Sequence, residues 1–420
     1  MTPRHRHVAV FVGLTVTLIL WFRTPEWLLI PPFRFLGTPR TAHPDILNRT
    51  LGFQHIFAIN LPSRTDRRDA MTIAAALSDL EVIWIDGVAG KDVPEKVLPG
   101  HPDSRQGGFT VGNKGSWRAH MDVLQRIVRE NITSALILED DADWDVRLKA
   151  QMQIFARAAR AFTQPRHGQT LAERYRNTHH PELLISRLPR SITDHRSPSP
   201  YGTDWDALWL GHCGTEFPTI TTTTTRTEPT TSNAHFPPPL RVTIPEDMTV
   251  PAPDHLKPHP FAFPDALASQ YPPHTRVVHA SRGTVCTQAY AVSQQGARKL
   301  LWRFGLLTLS GGWDLMLRDW CDGVFHPSTG DATAAGEAAS RKRGPTCVTV
   351  QPPLFSHFYG KGNGAASDIM APGGGFVNRQ REMTPYVRVS VRLNMGRLVE
   401  GEEGVEQWDE EGVEQWDDGG

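Results

Sequence analysis

The run Ala135-Leu-Ile-Leu-Glu-Asp-Asp-Ala-Asp-Trp144 passes from four apolar residues straight into four acids within five positions. The apolar stretch reads as a buried strand. Carboxylates at the carboxyl end of a strand in an open α/β sheet sit in the crevice where ligands bind. Packed this closely they repel one another unless a cation is shared between them. The chemistry that such a cluster supports is a divalent-metal site that holds phosphate. Alternation along an extended strand end puts Glu139 and Asp141 on one face and Asp140 on the other. Asp141 is therefore the first choice of metal ligand, Glu139 the second and Asp143 a reserve. The competing reading is a solvated acidic loop after a strand.

Several elements must position these acids. His55-Ile-Phe-Ala-Ile-Asn-Leu61 reads as a strand and is followed by the basic turn Pro62 to Arg68. Helical character from Asp69 to Leu80 then leads to a second strand, Glu81 to Val88, which makes a βαβ unit. From Ser116, the residues Trp117, Met121, Leu124, Ile127 and Val128 share one helical face, and this helix delivers the chain to the acidic strand end. Further strands are expected at Asp206–Gly211 and Val285–Ser293, with a short helix from Gly296 to Phe304. Residues 31–53 read as a stem. Low-complexity insertions are expected at about 163–200, 215–275 and 327–345, the second carrying a threonine run from Thr219 to Thr231. The tail, 396–420, contains the tandem octapeptides Gly404–Glu411 and Gly412–Gly419 and reads as a disordered acidic appendage.

At 420 residues the chain has ample length for a real core, and its formal net charge is −1. The balance is uneven, because Glu400 to Gly420 holds ten acids and no Lys or Arg. Without that tail, 44 basic residues face 35 acidic ones. Such a body suits a small polyanion, and no nucleic-acid-binding motif accompanies it. Residues 8–30 carry an apolar run behind Arg4 and Arg6, with no small-x-small cleavage site after it. They read as an uncleaved signal anchor, with 1–7 as a cytosolic tail. Asn48-Arg-Thr50 and Asn131-Ile-Thr133 are N-glycosylation acceptor patterns. Cys213, Cys286, Cys321 and Cys347 all lie beyond the anchor, an even number that suits two disulfides in an oxidising compartment, with free thiols as the alternative. Of three connectivities, Cys213 with Cys286 and Cys321 with Cys347 would each close a loop around an insertion.

Six pieces in order resemble glycosyltransferase family 25, the lipopolysaccharide and collagen galactosyltransferases. They are Phe57-Ala-Ile-Asn-Leu-Pro-Ser-Arg-Thr-Asp-Arg67, Gly112-Asn-Lys-Gly-Ser-Trp-Arg-Ala-His120, Leu136-Ile-Leu-Glu-Asp-Asp-Ala142, Trp205-Asp-Ala-Leu-Trp-Leu-Gly211, Gln288 to Ala297, and Trp313-Asp314. The resemblance implies a GT-A-like single α/β/α nucleotide-sugar-binding domain over 54–395. It also implies Mn²⁺ or another divalent cation, and inverting transfer of a sugar, galactose, from a UDP-sugar to a glycan or glycoprotein acceptor. With the anchor, it implies a single-pass type II protein of the Golgi or endoplasmic reticulum membrane, its catalytic domain lumenal.

Within that frame Asn60, Arg64, Arg67, Lys114 and Asp140 are the expected donor-binding residues, since guanidinium pairs with phosphate. Asp66 is either a sixth polar contact or the N-cap of the next helix. His120 has a catalytic or binding role, although Ala119 stands where the family has serine and Ser116 where it has cysteine. Asp314 is the expected general base, or alternatively a helix N-cap. Phe355 to Gly364 reads as a lid or an exit loop. Two rival readings stand beside the transferase: a metal-dependent phosphohydrolase using the same acids, and a catalytically silent anchored lumenal protein.

Overall fold

The computed structural model describes residues 44–105, 109–165, 168–175, 182–189, 199–218, 240–256, 266–325, 344–361, 367–369 and 382–408. The expected anchor at 8–30 and the tail at 1–7 lie outside them. Among the described residues no helix is long and apolar enough to cross a membrane.

The strands are β1 (His55–Asn60), β2 (Val82–Asp86), β3 (Ser134–Glu139), β4 (Ala142–Trp144), β5 (Glu182–Leu184), β6 (Ala207–Gly211), β7 (Arg241–Ile244), β8 (Arg276–Ala280), β9 (Ala289–Ser293), β10 (Cys347–Gln351) and β11 (Phe355–His357). The helices are α1 (Thr65–Leu77), α2 (Val111–Arg129), α3 (Leu148–Thr163), α4 (Leu171–Tyr175), α5 (Leu267–Gln270), α6 (Gln294–Trp302), α7 (Trp313–Cys321) and α8 (Met395–Val399). One mixed sheet runs β2-β1-β3-β9-β6-β10-β8-β7-β5, with β11 joined to β6 and β4. β1, β2 and β3 are parallel, and β9 enters antiparallel beside β3. Ile59 pairs with Glu139 and Asn60 with Asp86, so the carboxyl ends of all three parallel strands finish at one edge.

Strand alternation explains the layers, because successive side chains point to opposite faces. Ile56, Ala58, Leu136, Leu138, Leu208 and Leu210 share one core with Met71 and Ala74 of α1 and Phe155 of α3. Phe57, Ala135, Ile137, Ala207 and Trp209 face the other core, with Trp117 of α2, Leu300 of α6 and Met316 of α7. Helices therefore cover both faces of the sheet, as a sheet rich in parallel strands requires.

Several segments expected to stay unpacked belong to this body. The span 215–275 supplies β7, and Phe217, Val250, Leu256 and Leu267 form a small core of their own with Val277 and Tyr386. Within 163–200, Glu182–Leu184 pairs in parallel with β7. Proline-rich composition concealed short apolar runs that have a sheet edge to join. The Thr219–Thr231 run and most of 327–345 lie outside the described residues. The last ten residues of the expected stem, 44–53, belong to the body. Ile46, Leu51 and Phe53 are buried in the first core, and the Phe53 ring stacks on Tyr201 at 4.5 Å. The tail begins as α8, and residues through Trp408 pack on the body. Phe355–His357, expected as part of a lid or exit loop, is strand β11, paired with β4 and β6.

Both expected disulfides form. Cys213–Cys286 spans 73 residues with Cα atoms 5.5 Å apart, and Cys321–Cys347 spans 26 at 5.7 Å. The first ties the end of β6 to the loop before β9. By loop-closure entropy the longer one contributes roughly 4 kcal/mol and the shorter roughly 3.5. The double substitution Cys213→Ser, Cys286→Ser is expected to lower the urea-unfolding free energy by about that larger amount; an unchanged midpoint would show that the ring does not constrain the unfolded chain.

Candidate active site

The carboxyl ends of β1, β2 and β3 open onto a cavity of about 720 Å³, a size usual for small-molecule sites and at the edge where parallel sheets bind ligands. Ile59 and Leu61 leave β1 to line it, Gly87 to Lys91 follow β2, and Glu139, Asp140 and Asp141 follow β3. The start of α2 supplies Thr110 to Gly112, Gly115, Ser116, Ala119 and His120, and Ser367 to Ile369 close the remaining side.

Backbone packing builds this wall. A Cβ on Gly90 would lie 1.7 Å from the Val111 carbonyl oxygen, and one on Gly115 would lie 2.3 Å from that of Val88. Only glycine lets the loop after β2 rest directly on α2. The helix starts with a capping box: the Asn113 amide donates to the Thr110 hydroxyl at 3.1 Å and the Thr110 amide to the Asn113 side chain at 2.8 Å.

The acids do not follow strand alternation. β3 stops at Glu139, and Asp140-Asp141 form a turn into β4, so both carboxylates meet the same guanidinium. Arg67 of α1 donates through Nη1 to Asp140 at 2.9 Å and to Asp141 at 2.8 Å. Asn60, buried at the end of β1, donates to the second Asp140 oxygen at 2.8 Å. Antiparallel pairing of β4 with β11 sets Ala142 opposite His357, whose Nε2 lies 3.3 Å from Asp141 Oδ2. Burial works against ionising Asp141, but His357, Arg67 and Arg392 outweigh it and hold the carboxyl far below its usual range. Burial and the adjacent Asp141 charge push Asp140 upward, against the pull of Arg67 and Asn60. One guanidinium thus bridges the pair and lowers the repulsion between the two carboxylates, with a net charge of one negative left when both are ionised.

The remaining expected residues divide. His120 lines the cavity with Nδ1 2.8 Å from the Tyr290 hydroxyl, Nε2 3.7 Å from Glu139, and its ring stacked on Trp313 at 4.9 Å. Glu139 accepts from the Thr287 hydroxyl at 2.6 Å. Asp314 does not line the cavity. It sits beside Trp313 in the first turn of α7 and accepts from the Cys286 amide at 3.0 Å, while Gly312 occupies the N-cap position. Burial raises its pKa, and the Cys286 and Leu315 amides offset this only in part. Arg64 pairs with Asp66 at 2.8 Å and with Asp368 at 2.6 Å, so Asp66 is a salt-bridge partner and not an N-cap. Lys114 is held by Glu95 at 2.5 Å and stands off the lining, where Lys91 takes the place expected of it. Asp143, the reserve candidate, is not on the cavity lining. It is buried away from the cavity and accepts from Thr384 Oγ1 at 2.7 Å, the Arg392 amide at 3.1 Å and the Ser390 hydroxyl. Asn48 and Asn131 are both exposed.

His357, Lys91 and Arg392 escaped the sequence reading. Arg392 is buried and donates to the Asp140 carbonyl at 2.5 Å; it lies more than 250 positions from the acid turn, and no local pattern marks it. A signal for His357 existed in its Phe-Ser-His-Phe-Tyr run, whose aromatic content suits a strand.

Among the described residues, no three His, Cys, Asp or Glu side chains gather around one point. Asp141 Oδ1 is nevertheless buried without a hydrogen-bond partner, as is His357 Nδ1. A bare carboxylate oxygen on the cavity-lining turn fits a divalent cation, since such ions often take one or two protein ligands and draw the rest from phosphate and water. The His357 nitrogen that faces Asp141 is Nε2, so that atom, and not the bare Nδ1, would be the second ligand.

The family model described as "Glycosyltransferase family 25 (LPS biosynthesis protein)" matches residues 53–309. Procollagen galactosyltransferase 1 of Danio rerio is 31% identical over 112 residues, 24% of this chain and 18% of that protein. A glycosyltransferase 25 family member of Anopheles gambiae is 34% identical over 106 residues, 23% of this chain and 18% of its own. The human inactive glycosyltransferase 25 family member 3 is 24% identical over 131 residues, 29% and 22% respectively. The chain spans about a fifth of the length of these curated relatives.

Removing Arg67 leaves two adjacent carboxylates without their counter-charge, a change that typically costs about 3–5 kcal/mol. Arg67→Ala is expected to lose that much stability near neutral pH in denaturant titration. The penalty shrinks in acid, where the unpaired carboxyls protonate; a loss independent of pH would argue against the charge-sharing account.

Proposed function

The chain belongs to glycosyltransferase family 25, and from that premise we propose that it transfers galactose from UDP-galactose to a glycan or glycoprotein acceptor with inversion. The cavity at the ends of β1 to β3, lined by Asp141, whose carboxylate meets His357 from outside the lining, is the observation that carries this reading. The parallel β2-β1-β3 unit joined by an antiparallel β9 also suits a GT-A-like domain. The uridine would rest against the glycine-lined loop Gly87 to Gly90, and the diphosphate would lie toward the acid turn. Lys91 and Arg67 are the cations at hand for it.

Asp141, through its bare oxygen, and His357 are the residues that would hold Mn²⁺. When bound, the ion would supply charge to the departing diphosphate. Transfer requires the acceptor hydroxyl oxygen to bond to the anomeric carbon as the carbon–phosphate-oxygen bond breaks, and the hydroxyl proton must go to a base. Asp314 is the proposed base: it stands behind the cavity wall, next to the Trp313 that stacks on cavity-lining His120, and would have to turn toward the acceptor hydroxyl, while burial raises its proton affinity. Glu139 and His120, on the cavity wall beside it, would orient the acceptor.

Four cysteines consumed in two disulfides favour an oxidising lumen, which agrees with a signal anchor at 8–30 and a Golgi or endoplasmic reticulum location. A silent anchored protein is the second reading, favoured by Ala119 on the cavity wall and by similarity to a relative named inactive.

Purified protein is expected to turn over UDP-galactose with Mn²⁺ and to stop on chelation. Asp141→Ala should lower kcat by more than about a hundred-fold, and Asp314→Asn by about 10²–10⁴-fold with UDP binding retained. The raised Asp314 pKa places the acid limb of kcat above the ordinary aspartate range, because only the deprotonated carboxylate accepts the proton. Mn²⁺-dependent UDP binding without turnover would favour the silent reading; no UDP binding at all would overturn the site.

A further inference from the structure

The first tail octapeptide is seated on the body by nearly every one of its leading residues. Asn394 reads the backbone of Val405, accepting its amide at 2.8 Å and donating to its carbonyl at 2.9 Å. Glu406 pairs with Arg388 at 2.5 Å. The Gln407 side chain donates to the carbonyls of Thr384, at 2.8 Å, and Val387, and accepts from the Thr384 amide at 3.3 Å. Trp408 lies flat on His255 with ring centroids 4.4 Å apart. A Cβ on Gly404 would come within 2.8 Å of the Val389 side chain, so the entry to the seat favours glycine.

Gly404, Val405, Glu406, Gln407 and Trp408 recur in the same order as Gly412, Val413, Glu414, Gln415 and Trp416. Each contact made by the first copy is made by a residue type that the second copy also carries. We infer that the seat formed by Thr384, Val387, Arg388, Asn394 and His255 takes Gly412–Trp416 as an interchangeable occupant, so that the tail has two registers on one docking surface. Slipping to the second register lengthens the connection from α8 by eight residues. Loop-closure entropy sets the cost of that at about four-fold in population. The first register therefore dominates, and the second stands ready when the first is lost. The seat belongs to the same segment that braces the acid turn: Thr384 and Ser390 bond Asp143, and Arg392 bonds the Asp140 carbonyl. Either occupant would brace it.

The test uses the full chain and hydrogen exchange at the Thr384 amide, which the seated glutamine side chain accepts. Gln407→Ala removes three side-chain hydrogen bonds, on the order of a hundred-fold in occupancy of the first register. With the second copy available, protection of Thr384 is expected to fall only about four-fold. Gln415→Ala alone should leave it unchanged, and the double variant should lose on the order of a hundred-fold. The Ile56 amide in β1 should keep its protection in every variant, which separates unseating from unfolding. If Gln407→Ala alone matches the double variant, or Gln415→Ala adds nothing to it, the second register does not exist.

Discussion

Two neighbouring carboxylates on one tight turn, bridged by a single guanidinium, are the constraint around which this site is arranged. Asp140 and Asp141 cannot both ionise in a partly buried cleft without a cation between them. Arg67 supplies that charge from the start of α1, and Asn60 and His357 take up the outer sides of the pair. An anionic donor bound with a metal would substitute one set of charges for another here.

That arrangement rests on reinforcement from behind. Asp143 points the opposite way from the cavity and gathers the 384–392 segment, while Arg392 returns to the Asp140 carbonyl. A buried carboxylate with raised pKa and a buried guanidinium are costly alone. Together, with hydroxyls and amides filling the remaining valences, they tie the 384–392 segment to the acid turn. The seated tail repeat extends the same brace outward to His255.

The two cores and two disulfides explain why so interrupted a chain holds one sheet. Each face of β1, β3 and β6 is covered by helices, and Cys213–Cys286 closes the long excursion that contains β7 and β8. Segments with no independent core can join the sheet edge because backbone hydrogen bonding there needs no special side chains.

The sequence by itself determined the strand at Ser134–Glu139, the βαβ unit, the helix from Trp117 to Val128, the family and the cavity side of Arg67, Asp141 and His120. These are local matters: an apolar period of two or 3.6, and acids set directly after a buried run, are written in consecutive residues. Tertiary structure decided the rest. Asp140 and Asp141 share one counter-ion because the strand stops one residue short of them, a boundary that periodicity does not resolve. Lys114 left the site for Glu95, Asp143 turned inward to Ser390 and Thr384, and His357 and Arg392 arrived from more than two hundred positions away. Pairing of β4 with β11 sets His357, and the Asp145–Ser390 bridge brings in the segment that carries Arg392, since a side chain's partner in a folded chain depends on which backbone lies beside it.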